Sequence, residues 1–225
     1  QQWSFDPWVN LFTDRKWWSA IVNSINVAVI VTIAATVLGV LAVLGLRMIS
    51  IKVAGTFRAI FLAPLIVPAI VTAVGVYSSY LRAGLAGTVL GFVLAHTALA
   101  LPFVVTVVGA QLSGVDRNLE LAAASLGAKP FSGFLTVTLP LIAPSAATGA
   151  LFAFVTSFEE SVVALFLQSP SLATLPARMY GAITQSLDVT IASAASLVIM
   201  STIIVMAALF TYSSIKNRKG ARADG

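Results

Sequence analysis

The sequence predicts an all-α integral membrane protein. Of its 225 residues 59% are hydrophobic and only 9% are charged. The apolar residues also gather into stretches of the roughly 18–20 residues needed to cross a bilayer. A soluble domain runs at about 45–50% apolar and about 25% charged, so this chain has too little polar surface to coat a core in water. A mean hydropathy of +0.99 agrees. The useful count is therefore of membrane spans.

Five spans are predicted. The first covers about Ala20 to Leu46, the second about Ala59 to Tyr80 and the third about Thr88 to Leu112. The fourth covers about Leu141 to Phe158 and the fifth about Val189 to Ile215. Together they form one transmembrane domain over 1–225, with a helical core at 18–215. Between the last two spans, residues 161–187 are apolar but broken by Pro170 and Pro176. That segment suits an outer-side re-entrant or scoop-like element, since irregular backbone survives at membrane depth only when buried in protein or facing water.

Lys and Arg set the orientation. Arg47, Lys52, Arg58, Arg117, Lys129, Lys216, Arg218, Lys219 and Arg222 fall on one side, and Arg15, Lys16, Arg82 and Arg178 on the other. The richer side, with the C-terminus, is expected in the cytoplasm, which puts Gln1 outside. Trp3, Trp8, Trp17 and Trp18 precede the first span, where indoles suit an interface. An exported start that is Gln rather than Met implies a cleaved leader or an upstream span. The second is expected, giving six spans in the full protein.

Several chemistries are set aside. The net charge of +5 comes from basic residues scattered among apolar runs, so nucleic acid is not an expected partner. With no Cys and one His, thiolate chemistry is excluded and His96 lacks companions for a metal site. A hydrogen-bonded packing role for His96 is favoured. Gly84, Gly87 and Gly91 are followed by no Gly-Lys-Ser/Thr, so they form no phosphate loop. Gly87 and Gly91 are expected to allow close helix packing. Pro64, Pro68 and Pro102 are expected to bend helices, around a path or toward lipid. No catalytic constellation is present.

The most informative segment is the polar loop at 113–140. Asp116 is placed to cap a helix, and Glu120 to favour its positive end. Leu119, Ala122, Ala123 and Leu126 fall at helical spacing on one face. Gly127 can end that helix in the left-handed region. Pro130 can open a second short helix carrying Phe131, Phe134 and Leu135, with Pro140 and Pro144 ending it and starting the next span. The product is a helix–Gly–helix elbow. It either meets a partner or lies on lipid headgroups or its own bundle.

The run LAAASLGAKPFSGFLTVTLP resembles the EAA loop of binding-protein-dependent ABC importer permeases. Ala122 and Ala123 match its alanines, Gly127 its glycine, and Val137 to Pro140 its ending. Leu121 stands where the motif has Glu, with Glu120 one residue earlier. The segments ALALPFVVTVVGAQL and SFEESVVALFLQSPSLATLPARMYGAI are similar to the spermidine/putrescine permease branch. Permeases for iron, phosphonates and other small solutes share much of that scaffold.

The resemblance implies a type I ABC importer permease fold in a bacterial inner membrane. It also implies two cytoplasmic ATP-binding subunits, a second and different permease chain, and a periplasmic or lipid-anchored binding protein. ATP and Mg would belong to the ATPase, with no cofactor in this chain. The implied ATPase-coupling residues are Leu119, Glu120, Leu121, Ala122, Ala123, Gly127, Lys129 and Phe131. The competing class is a secondary transporter or channel, with the elbow packed on its own bundle.

Glu159 and Glu160 follow the fourth span with apolar sequence on both sides. Acids at membrane depth usually face a bundle interior or a cavity. Helical neighbours point about 100° apart, so only one is expected to face a path. With Phe158 and Tyr180 they make the candidate substrate path, suited to an ammonium group. A salt bridge to Arg178 or Arg82, or outer-surface exposure, is the plainer alternative.

Overall fold

In the computed structural model, which describes residues 5–185 and 188–221, the described chain is predominantly helical, with no strand among those residues. Trp3 and Arg222 lie outside the described residues. A short helix α1 (Asp6–Thr13) leads into the long α2 (Arg15–Met48). Asp14 separates them, its carboxylate accepting from the backbone N–H groups of Lys16 at 2.8 Å and Trp17 at 3.0 Å. That cap starts α2 ahead of the apolar stretch, because a satisfied N-terminus rather than hydropathy sets where a helix begins.

The second expected span is not straight. It divides into α3 (Ile51–Ile66) and α4 (Ala69–Ala83), bent by 102°. The break falls at Val67 and Pro68. Proline restricts the residue before it to extended backbone, and Val67 has ψ 130°. The chain then has four helices long and apolar enough to cross a membrane among the described residues, or five if the bent pair is one span.

Helix α5 (Val89–Ser113) is the third span. After the elbow helices α6 (Arg117–Ser125) and α7 (Pro130–Gly133), a π-helical turn at Phe134–Thr138 runs into α8 (Leu139–Glu159). Pro140 and Pro144 were expected to punctuate this region, yet the helical run is continuous from Pro130 to Glu159. The wider π turn sits where the Pro140 ring would clash with the preceding turn and leaves room for it. Beyond α8, the proline-broken segment holds two short helices, α9 (Val162–Leu167) and α10 (Leu175–Gln185), before α11 (Thr190–Ala221).

The centre of the molecule is the packing of α2, α5 and α8. Val104 of α5 is fully buried between Gly39 of α2 and Gly149 of α8. A Cβ at Gly39 would stand 2.5 Å from Val104 Cγ1, and one at Gly149 would stand 3.1 Å from Val104 Cα. Small residues let membrane helices approach closely where no hydrophobic effect drives them together.

Gly87 and Gly91 do different work from the helix packing expected of them. Gly87 has φ +76° in the α4–α5 turn, facing Ser169, and a Cβ at Gly91 would meet the Leu85 carbonyl at 2.2 Å. Both serve that turn.

A second core at the other end joins Leu11, Trp17 and Ile21 to Phe158, Leu175 and Ala194. Trp17 is therefore buried in protein rather than at a lipid interface, whereas Trp18 is half exposed.

Replacing Gly39 with Ala should destabilise the protein by about 1–3 kcal/mol, the usual cost of overpacking. Adding Val104→Ala should recover part of that loss, so the two changes should be non-additive. Thermal unfolding in detergent reads both effects. A Gly39→Ala protein as stable as the parent would contradict this packing.

Candidate functional site

The elbow is built by local signals. Asp116 accepts from the Asn118 N–H at 2.9 Å and starts α6. At the other end Gly127 has φ +87°. Its N–H bonds the Ala124 carbonyl at 2.9 Å, and the Ala128 N–H bonds that of Ala123 at 3.0 Å. This pair of bonds closes a helix around a left-handed residue, which glycine adopts without strain.

The elbow's apolar side chains are not packed on the bundle. Leu119, Leu121, Ala122 and Phe131 are exposed, and Leu126 is 90% exposed. Lys129 is exposed beside them, while Ala123 is half-buried. Of the alternatives for the elbow, packing on its own bundle does not describe these residues.

Glu120 faces the other way. Its Oε1 lies 3.0 Å from Arg47 Nη1 at the end of α2, and it accepts from Thr138 Oγ1 at 2.8 Å. Arg47 Nη2 also donates to the Val115 carbonyl at 2.9 Å. Thr138, in the π turn, is buried. Leu121, which occupies the motif's Glu position, points out instead. The displaced acid is thus an internal clamp.

The acidic pair is divided by a break in the chain. Glu159 is the last residue of α8 and is exposed, accepting from Thr202 Oγ1 of α11. Glu160 has extended backbone and folds back over the start of α9. It accepts from the N–H groups of Val162, Val163 and Ala164 at 3.0, 2.9 and 2.8 Å. Its Oε2 lies 3.6 Å from Nε2 of His96, a fully buried ring whose Nδ1 is 3.0 Å from Ser157 Oγ. Glu160 therefore joins α5, α8 and α9, and Glu159 is the acid left open.

Phe158 belongs to the second core, stacked on Phe154 with centroids 5.7 Å apart. Tyr180 is 53% exposed. Arg178 does not join the acidic pair. Its guanidinium lies over the Trp17 ring, 5.5 Å from the centroid.

The sequence reading missed Asp188, which accepts from Trp17 Nε1 at 3.0 Å and from the Thr190 N–H at 2.9 Å. The Thr190 hydroxyl above all, with help from Trp17 and the Arg178 charge, holds the Asp188 carboxyl below its ordinary value. An acid two residues before the first residue of α11 is a capping signal that was legible.

Long apolar helices packed through glycine, with an exposed helical elbow between two of them, define a multi-pass membrane protein. The chain belongs to the family of inner membrane components of binding-protein-dependent transport systems, whose pattern matches residues 35–219. It is a membrane permease subunit of an ABC importer.

It is 30% identical over 206 residues to the putrescine transport system permease protein PotI of Escherichia coli, covering 88% of this chain and 73% of that one. It is 27% identical over 203 residues to the spermidine/putrescine permease protein PotC of the same organism, covering 85% and 77%. The molybdenum permease protein ModB of Mycobacterium tuberculosis is also 27% identical, covering 87% and 80%. Among solved structures, a bacterial ABC transporter that imports alginate superposes with a TM-score of 0.73 at 18% identity, covering 97% of this chain and 85% of that one. The shared fold is that of type I ABC importer permeases.

Glu160→Gln should destabilise the protein by about 1–3 kcal/mol, because the amide N–H₂ would confront backbone donors that the carboxylate now satisfies. Glu159→Gln should change stability by less than about 0.5 kcal/mol, as exposed substitutions do. Thermal unfolding of both variants in detergent separates the two roles. Equal effects would show that Glu160 does not hold α9.

Proposed function

We propose that this chain is one of two different membrane subunits of an ATP-driven polyamine importer. Its elbow docks into a cytoplasmic ATPase, and a periplasmic or lipid-anchored binding protein delivers the substrate. The observation that carries the coupling reading is the outward apolar face of the elbow. Leu119, Leu121, Ala122, Leu126 and Phe131 are offered to water by a helix pair that ends in a well-formed left-handed turn. Exposed apolar groups clustered in this way mark an interaction site. Ala123, Gly127 and Lys129 complete the docking segment, and Glu120 supports it from behind. ATP and its Mg belong to the partner, so this chain is non-catalytic.

The orientation follows from charge. The elbow and the end of α11 lie on the side richer in Lys and Arg, which is the cytoplasmic side. Residues 161–185 then lie toward the outside, with Glu159 and Tyr180.

Polyamine as substrate rests on two supports. Two relatives carry putrescine or spermidine in their names. Glu159 is an exposed carboxylate at the outer end of a span, where it attracts a cation leaving water. Molybdate, the chemistry suggested by the third relative's name, is an anion that Glu159 would repel.

The test is reconstitution with ATPase, partner permease and binding protein in proteoliposomes. ATP-dependent uptake of labelled putrescine is expected, and uptake of molybdate but not putrescine would overturn the polyamine reading. Glu159→Gln should lower putrescine uptake about fivefold, equivalent to the ~1 kcal/mol of one exposed charge contact. Gly127→Val forces a β-branched residue into positive φ, so it should retain ATP hydrolysis and lose most uptake. Uptake by Gly127→Val at the parental rate would contradict docking through the elbow.

A further inference from the structure

We infer that Arg47 is the positioning residue that holds the elbow to the spans and transmits its movement to them. The inference rests on the proposed docking of the elbow to an ATPase. Helix α6 turns one face away from the bundle, its residues Leu119, Leu121, Ala122 and Ala124 all exposed. Among the described hydrogen bonds and ion pairs, the one that fastens it to α2 is made by the Arg47 guanidinium. Nη1 of Arg47 meets Glu120 on α6, and Nη2 meets the Val115 carbonyl in the α5–α6 connection. A planar group with a fixed fork can hold two acceptors at once, which a lysine ammonium does less well.

The same Glu120 oxygen accepts the hydroxyl of buried Thr138 in the π turn that leads into α8. Three elements therefore converge on one carboxylate: the end of α2, the elbow and the start of α8. Helices α2 and α8 are two of the three that pack around Val104. A push delivered to α6 reaches both of them through this contact, without passing through the exposed face of the elbow.

The pair is also sheltered. The Arg47 side chain keeps 18% of its accessible surface and Glu120 37%, so solvent screens it less than an open surface pair. Arg47 lies in the last turn of α2, where its charge also suits the negative end of the helix dipole. If that were its whole role, or if it served only as a cytoplasmic anchor, the identity of residue 120 would not matter.

The experiment uses the assembled importer in proteoliposomes, with Arg47→Lys, Arg47→Glu, Glu120→Arg and the double charge swap. Two quantities are read: the ATPase retained on the permease, and substrate molecules imported per ATP hydrolysed. We expect the ATPase to be retained in every variant. Import per ATP should fall several-fold in Arg47→Lys, fall further in both charge reversals, and recover in part in the swap. Arg47→Lys keeps the positive charge that sets membrane orientation, so it reports on positioning even if a reversal fails to insert. Parental coupling in Arg47→Lys, or in Arg47→Glu, with the ATPase retained would overturn the inference alone. So would a swap that recovers nothing beyond the single reversals. An ATPase that fails to associate with the parental protein would overturn the docking reading itself.

Discussion

The packing of Val104 between Gly39 and Gly149 is the constraint on which the rest of the structure depends. In lipid there is no hydrophobic reward for pressing one apolar helix on another, so close van der Waals contact must hold them. Two absent side chains, one on α2 and one on α8, let α5 sit between them at backbone distance. The three helices then behave as a unit whose ends carry the polar work. At one end Arg47, Glu120 and Thr138 fasten the elbow. At the other His96, Ser157 and Glu160 fasten α9, and Trp17, Asp188 and Arg178 fasten the start of α11 to α2 and α10.

Acids near the membrane divide into two kinds here. Glu120, Glu160 and Asp188 are engaged by donors the fold itself supplies: a guanidinium and a hydroxyl, three backbone N–H groups, and an indole with a helix N-terminus. Removing such a group leaves donors unsatisfied, which costs more than the hydrogen bond itself contributes. Glu159 is different, since it is exposed and holds only the Thr202 hydroxyl among the contacts described.

Much of this architecture is legible in the sequence. A bilayer imposes a hydropathy pattern that reads off directly, and the elbow is written in local signals: Asp116 to start a helix, Gly127 to end it, Pro130 to start the next. What escapes is set by residues far apart in the chain. Nothing near Gly39 says that Val104 will fill its place, and Arg47 and Glu120 are separated by two further helices and a third span. Adjacent Glu159 and Glu160 look alike in sequence. They part only because the chain turns extended at Glu160, a turn that the following apolar run could have suggested as a cap. The bend at Pro68 was expected in kind, but its 102° angle depends on the tertiary setting of α3 and α4.

The central claim is that the elbow is fastened to the spans and moves with them. The chain contains no Cys, so two spin labels can be placed on it, before assembly with the other subunits, without background from its own thiols. Ser125→Cys marks the exposed end of α6 and Met48→Cys the exposed end of α2. Pulsed EPR on the assembled importer, nucleotide-free and then ATP-bound, measures the distance between them. A distribution unchanged between the two states is predicted. A shift of more than about 5 Å, the rise of one helical turn, would show that the elbow slides on α2 and would contradict the account.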